Sequence, residues 1–118
     1  MNKEVLEKAI DTYGDDSQMD MCIEEMSELT KALLKFRRLK NKKSTVKSID
    51  YAEYISEKIH TASNVAEEIA DVKIMLVQME MIFGCSEEVN NQIEFKIKRL
   101  KERLKNGGVN RKRDKLNV

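Results

Sequence analysis

The chain has 118 residues, which suffices for one hydrophobic core and argues against a two-domain enzyme. Hydrophobic residues make up 41%, charged residues 36% and aromatic residues 5%, with no proline, a mixture that suits amphipathic helices and disfavours an all-β fold. Lys plus Arg number 22 and Asp plus Glu number 21, so the net charge of +1 provides no bulk positive charge for nucleic acid or a membrane surface.

The N-terminal part of the sequence predicts two helices. Apolar residues at helical spacing indicate a short first helix over Val5–Tyr13, which ends at Gly14. Ser17 heads an approximate capping box and predicts the start of a long second helix. The apolar pattern of this helix fades near Lys40, where we expect it to end. Its inward apolar residues step by four and three; they are Cys22, Met26, Leu29, Leu33 and Phe36.

After a polar, basic loop over 41–48, the sequence predicts a short helix over 49–59 and then two long helices. Asn64 is the expected N-cap of the third helix, which ends before Gly84. Ser86 is expected to cap the fourth helix. The inward apolar row of the third helix comprises Val65, Ile69, Val72, Leu76, Met79 and Phe83, and that of the fourth comprises Val89, Ile93, Ile97, Leu100 and Leu104.

These elements predict an all-α helical bundle over 1–106, followed by a flexible polar and basic tail over 107–118. The third helix also carries a second apolar side, formed by residues such as Ala70 and Ile74. A second copy of the chain is the expected cover, which predicts a homodimer or homotetramer. The N-terminus has no hydrophobic signal core and no apolar run is long enough for a membrane, so we expect a cytoplasmic protein without a membrane partner.

Four carboxylates lie on or beside the apolar faces of the two long central helices. At about 100° per residue, Glu25 falls roughly 60° from the centre of this face on the second helix and Glu28 falls at its edge. On the third helix, Glu68 falls inside the apolar stripe and Asp71 lies about 60° round from it. Each pair is spaced i,i+3, so both members reach one point and all four are expected to converge. Such a cluster of carboxylates requires a cation to offset its negative charge. Because the ligands are oxygens without Cys or His, Mg²⁺ is the expected ion, with Mn²⁺ as a substitute. The alternative is that these acids are simply solvated.

The fourth predicted helix carries a complementary basic flank. Lys96, Arg99 and Arg103 lie within about 60° of one another beside its apolar row. Beside a metal site, their long side chains would suit phosphate oxygens. A solvated basic face is the equally valid alternative.

Two acidic motifs carry a family resemblance. The segment Glu24-Glu25-Met26-Ser27-Glu28, followed after a spacer by Glu68-Ile69-Ala70-Asp71, resembles the EExxE and ExxD motifs of the MazG-like all-α nucleoside triphosphate pyrophosphohydrolases. The resemblance covers about Tyr13 to Arg103, and Lys96-Ile97-Lys98-Arg99 is similar to the family's downstream basic segment. It implies a MazG-like bundle completed by homo-oligomerisation, and Mg²⁺-dependent cleavage of a nucleoside triphosphate between its α- and β-phosphates into monophosphate and pyrophosphate.

The resemblance also implies roles for individual residues. The four convergent acids become metal ligands, and Glu28 or Glu24 is the hypothetical acceptor of a proton from the attacking water. Glu24 and Glu67 match the motifs but project outward. Lys96 and Arg99 would stabilise transferred charge, and the expected substrate contacts are Gln18, Lys96, Arg99 and Arg103.

Two other function classes remain as alternatives. A non-catalytic, oligomeric helical interaction module would carry the same acids as solvated residues, and Mg²⁺ would change nothing. Nucleic-acid binding would rest on the basic tail with Arg111, Lys112, Arg113 and Lys115, and the near-zero net charge disfavours it.

Overall fold

A computed structural model of the chain describes residues 1–42 and 50–107, and all regular secondary structure in these residues is helical. The all-α class is therefore confirmed. No helix among them is both long and apolar enough to cross a bilayer. The helices are α1 (Lys3–Tyr13), α2 (Asp15–Asn41), α3 (Tyr51–Phe83) and α4 (Ser86–Lys105).

α1 and α2 join at a single glycine. Gly14 has a φ of 90° and donates its backbone N–H to the carbonyl of Ile10 at 2.8 Å, which ends α1. The same residue is the N-cap of α2, so α2 starts two residues before the predicted cap at Ser17. Asp15 and Asp16 lie in its first turn, where carboxylates complement the positive end of the helix dipole.

α2 and α3 form the main helix pair, and α1 contacts both. The two long helices are antiparallel, because Glu25 of α2 meets Asp71 of α3, whereas Lys35, further along α2, shares a groove with Thr61, earlier in α3. The buried apolar core of this unit comprises Leu6, Cys22, Tyr54, Val72 and Met75. The pair is the scaffold that holds the acidic motifs against each other.

α3 is one continuous helix, so the prediction of a separate short helix over 49–59 and of a cap at Asn64 is wrong. The polar stretch that suggested a break lies inside the helix. Thr61 is 2% exposed, and its hydroxyl donates to the carbonyl oxygens of Glu57 and Lys58, both at 3.0 Å. Because the helix itself satisfies this buried hydroxyl, the polar residue fits an interior position without ending the helix.

The face of α3 that packs inward is rotated from the predicted apolar row. Tyr54, Thr61 and Met75 are buried with Val72, and their spacing follows a seven-residue repeat. The predicted inward residues Ile69, Leu76 and Phe83 are instead 40%, 44% and 65% exposed in the single chain. This rotation turns Glu68, seven residues after Thr61, toward the helix pair.

The chain divides into two compact units, Met1–Phe83 and Gly84–Val118, of which the second contains α4. The N-cap of α4 is Cys85, which makes no side-chain capping bond, so the predicted cap at Ser86 is the first helical residue instead. None of the α4 residues is buried. The predicted basic tail over 107–118 lies outside the described residues except for Gly107, and so does most of the predicted loop over 41–48.

Candidate metal centre

Three of the four predicted ligands meet between α2 and α3. Glu25 of α2 and Glu68 and Asp71 of α3 each offer one carboxylate oxygen, and these oxygens lie within 4.8 Å of one another. All three residues are half-buried. The i,i+3 spacing places Glu68 and Asp71 on one face of α3, and antiparallel packing brings Glu25 against them. We call these three residues the acidic cluster.

The acidic cluster is electrostatically unfavourable when its members are ionised. Burial raises the pKa of Glu25, and the neighbouring charges of Asp71 and Glu68 raise it further. Burial likewise raises the pKa of Glu68, with the charges of Asp71 and Glu28 adding to the effect. Both shifts favour the neutral carboxyl, because loss of water and nearby like charges each penalise the anion. The folded chain therefore holds these acids at a cost that a cation would relieve.

One carboxylate oxygen of the cluster has no hydrogen-bond partner. The Oε2 atom of Glu68 is buried and meets no donor within the part of the chain that the structure describes. A buried acceptor without a partner is costly, and natural proteins satisfy nearly all such atoms. A hard divalent cation coordinated by carboxylate oxygens satisfies this atom and offsets most of the cluster's negative charge, so these residues fit Mg²⁺ or Mn²⁺.

Glu28, the fourth predicted ligand, stands beside the acidic cluster rather than within it. Its carboxylate Oε1 pairs with the Nζ atom of Lys31 at 3.3 Å, and its side chain is 44% exposed. Its charge still contributes to the raised pKa of Glu68. The structure therefore brings Glu25, Glu68 and Asp71 together and gives Glu28 a separate ionic partner.

The flanking acids of the two motifs, Glu24 and Glu67, lie outside the acidic cluster. Glu24 and Glu67 are both exposed. Each influences the cluster through its charge, since Glu24 contributes to the raised pKa of Glu25 and Glu67 to that of Glu68. Glu24 remains a hypothetical proton acceptor, and the structure gives it no contact with the cluster's oxygens.

A polar groove, which the sequence pattern did not predict, continues from the cluster along α2 and α3. Its volume is about 340 Å³. Apart from the aliphatic Ala32, the lining is polar or charged; it comprises Glu28, Lys31, Ala32, Lys35, Thr61, Asn64 and Glu68. The available signal was the spacing of Lys31 and Lys35, which lie three and seven residues after Glu28 and share its helical face. We call this feature the lysine groove.

Gln18, the predicted nucleoside contact, is buried at 6% exposure near the start of α2. Gln78 of α3 is buried as well, at 4%, and its Oε1 atom has no partner among the described residues. Gln18 lies seven residues before Glu25, and Gln78 lies seven residues after Asp71, which is two helical turns in each case. Both helices therefore carry a buried amide on the same side of the cluster, because α2 and α3 are antiparallel.

The three predicted cations of α4 belong to the second unit. Lys96, Arg99 and Arg103 line one cleft of about 270 Å³ on this helix, as the helical projection predicts. The Arg99 guanidinium carbon lies 5.7 Å from the centroid of the Phe95 ring, within cation–π range. Lys96 is exposed, and the two arginines are half-buried. The other residues lining the cleft are Ile93, Ile97 and Leu100.

Compared with protein-family models, with curated proteins and with solved structures, the chain matches none of them. The resemblance to the MazG-like pyrophosphohydrolases thus rests on the two acidic motifs and the basic segment alone.

Proposed function

We propose that the chain is a Mg²⁺-dependent nucleoside triphosphate pyrophosphohydrolase of the MazG-like type. The observation that carries this proposal is the convergence of carboxylate oxygens from Glu25, Glu68 and Asp71 within 4.8 Å. The unpartnered, buried oxygen of Glu68 supports it, because a site without a cation leaves that atom unsatisfied. The EExxE and ExxD motifs supply the expected reaction class.

The acidic cluster would hold the metal, and Glu28 lines the same groove as Glu68. When bound, Mg²⁺ neutralises phosphate charge and lowers the pKa of water, and Mn²⁺ can replace it. The carboxylates themselves contribute an oxygen-rich site that excludes softer, sulfur-preferring ions. Zinc is disfavoured because neither Cys nor His joins the three acids.

The reaction consumes one water and one nucleoside triphosphate. The water oxygen forms a bond to the α-phosphorus, the bond from that phosphorus to the α–β bridging oxygen breaks, and its electron pair leaves with pyrophosphate. The proton of the water passes to a carboxylate, for which Glu28 and Glu24 are the candidates. Glu28 is the better placed, because it borders the groove that Glu68 also lines. On α4, Lys96, Arg99 and Arg103 are candidates for further phosphate contacts.

The proposed active form is a homodimer or homotetramer. Its support is the apolar surface left on the single chain, including Leu76 at 44% exposure and, on α4, Ile97 at 60% and Leu104 at 66%. Light scattering coupled to gel filtration tests this assembly. A monodisperse monomer at micromolar concentration contradicts it.

The decisive experiment is a panel of nucleoside triphosphates incubated with Mg²⁺, with separate detection of pyrophosphate and orthophosphate. We expect pyrophosphate and the monophosphate in equal amounts, and no release after chelation by EDTA. Release of orthophosphate alone would identify cleavage at a different bond and contradict the proposal. Absence of both products across the panel would also contradict it.

The second candidate is a non-catalytic helical interaction module, which the exposed apolar side chains of α4 favour. It differs from the enzyme in one measurable respect. A module whose acids are only solvated shows the same melting temperature with and without Mg²⁺, whereas a metal site is stabilised by its ligand.

A further inference from the structure

We infer that the lysine groove binds the pyrophosphate portion of the substrate, with Lys31 and Lys35 as its phosphate contacts. This inference rests on the proposed function, and it goes further by naming the residues that recognise the leaving group. It also fixes the direction in which the nucleotide lies along α2 and α3.

The composition of the groove selects a charged ligand. Lys31 and Lys35 project from α2, while Thr61 and Asn64 face them from α3. Ala32 is the aliphatic residue of the lining, and polar or charged residues supply the rest, including the carboxylates of Glu28 and Glu68. Its volume of about 340 Å³ falls in the range of roughly 300–1,000 Å³ typical of small-molecule sites.

The ammonium groups of Lys31 and Lys35 can bind phosphate, because neither is held in a strong ion pair with the residues that the structure describes. Lys35 makes no hydrogen bond or ion pair with residues 1–42 or 50–107. Lys31 pairs with Glu28, but the two side chains are 70% and 44% exposed, and an ion pair so exposed to water is weak. A phosphate oxygen bound by several charge-assisted hydrogen bonds competes successfully for that ammonium group.

The groove begins at the acidic cluster, since Glu68 belongs to both. Lys31 and Lys35 lie six and ten residues after Glu25 on α2, which corresponds to about 9 and 15 Å along the helix axis. A triphosphate whose α-phosphate lies at the cluster therefore extends its β- and γ-phosphates toward these ammonium groups.

The opposite side of the cluster supports this direction. Gln18 and Gln78 lie there, and the buried Oε1 atom of Gln78 has no partner among the described residues. Amides that both donate and accept hydrogen bonds suit the nucleoside, whereas ammonium groups suit its phosphates. The nucleoside therefore lies toward Gln18 and the leaving pyrophosphate toward Lys35.

The test measures binding separately from turnover. Inorganic pyrophosphate is titrated into the full chain with Mg²⁺ by calorimetry, for the parent and for Lys31→Ala, Lys35→Ala and the double variant. We expect each single substitution to weaken pyrophosphate binding by about tenfold and the double variant by more, because each removes a charge-assisted contact. Lys35→Arg keeps the charge and is expected to restore most of the affinity.

Two controls make the result specific. Lys40→Ala removes an exposed lysine from the same helix outside the groove, and we expect it to leave pyrophosphate affinity unchanged. The nucleoside monophosphate is the second probe, and its affinity should be the same in the parent and in Lys35→Ala. Circular dichroism melting curves of the variants establish that the fold is retained.

The inference is overturned if pyrophosphate fails to bind the parent, or if Lys31→Ala and Lys35→Ala bind it as tightly as the parent does. Equal weakening of monophosphate and pyrophosphate also overturns it, because the lysines would then not distinguish the two ends of the substrate. Failure of the proposed function has a different signature, namely no pyrophosphate release from any triphosphate by the parent protein.

Discussion

The acidic cluster of α2 and α3 and the basic flank of α4 assemble their charges in opposite ways. Glu25 comes from one helix and Glu68 and Asp71 from another, and packing holds all three half-buried. Burial and the neighbouring charges raise the pKa of Glu25 and of Glu68. Lys96 and Arg99 lie on a single helix, and helical periodicity alone places them side by side.

The difference shows which of the two charge clusters has the stronger electrostatic interactions. A charge cluster made within one exposed helix is screened by water and salt, so each member contributes little. A cluster made between two helices excludes part of its water, and its repulsion persists until a cation binds. The interhelical site is therefore the more sensitive of the two to substitution and to metal.

The largest effect is expected from Glu68→Gln, which removes one charge and one ligand oxygen from the acidic cluster. We expect pyrophosphate release to fall by about 100-fold or more. Loss of a residue that binds the metal directly should reduce activity at least as much as loss of a residue that only supports a metal ligand. The measurement is steady-state release from the preferred triphosphate.

Glu57→Gln is the matched control for this substitution, since it makes the same change at an exposed position of α3 outside the cluster. Parental turnover in Glu68→Gln would remove Glu68 from the site. Equal losses in both variants would point to a general effect of charge.

Mg²⁺ is expected to stabilise the parent protein. At a concentration 100 times its Kd, a ligand bound only by the folded state contributes about 2.7 kcal/mol, which raises the Tm by several degrees. The melting curve of the parent with EDTA and with Mg²⁺ measures this shift, and the same pair of curves for Glu68→Gln should nearly coincide. A shift of the same size in that variant would place the ion elsewhere.

Without metal, Glu68→Gln is expected to be more stable than the parent at pH 7. The folded chain raises the pKa of Glu68 above its ordinary value, so the neutral carboxyl is favoured on folding. The contribution of Glu68 to the free energy of unfolding is therefore fully present below the ordinary carboxyl pKa, and it is lost as the pH rises through the raised pKa of the folded state. The neutral glutamine avoids this loss.

Melting temperatures in EDTA between about pH 4 and pH 7 test the sign of this effect, because the advantage of the variant should shrink as the parent's carboxyl is protonated. A variant advantage that grows toward low pH would show that Glu68 is stabilised as the anion.

The smallest effects are expected on α4. Lys96→Ala and Arg99→Ala should each lower kcat/KM by tenfold or less, roughly the value of one charge-assisted contact in an exposed setting. Lys101→Ala, an exposed lysine that does not line the same cleft, is the control. A loss on Lys96→Ala as large as that on Glu68→Gln would reverse the ranking of the two regions.

Much of the site was predictable because the relevant distances lie within single helices. The i,i+3 spacing of Glu68 and Asp71 fixes both carboxylates on one face of α3, and the apolar pattern around Cys22 places Glu25 beside the inward face of α2. The sequence did not predict that Glu28 pairs with Lys31. Glu28 lies three residues from both Glu25 and Lys31. Helical spacing therefore allowed it either to join the acidic cluster beside Glu25 or to form an ion pair with Lys31.

The sequence pattern did not predict the lysine groove, for a related reason. Asn64 is a residue type that commonly caps helices, so the sequence predicts a helix boundary there. Thr61 lies between that predicted cap and the predicted short helix over 49–59. In the structure both residues face α2 from the interior of one continuous helix. The distinction depends on whether a neighbouring helix covers the polar stretch, which local patterns do not encode.

The sequence by itself determined the helical class, the end of α1 at Gly14 and the angular position of each acid on its own helix. Only the tertiary structure decided which face of α3 meets α2, and hence that three carboxylates share one small space with a lysine groove beside it. The reason is that periodicity within a helix is set by backbone geometry, whereas the rotation and register between helices follow from side-chain packing summed over the whole interface.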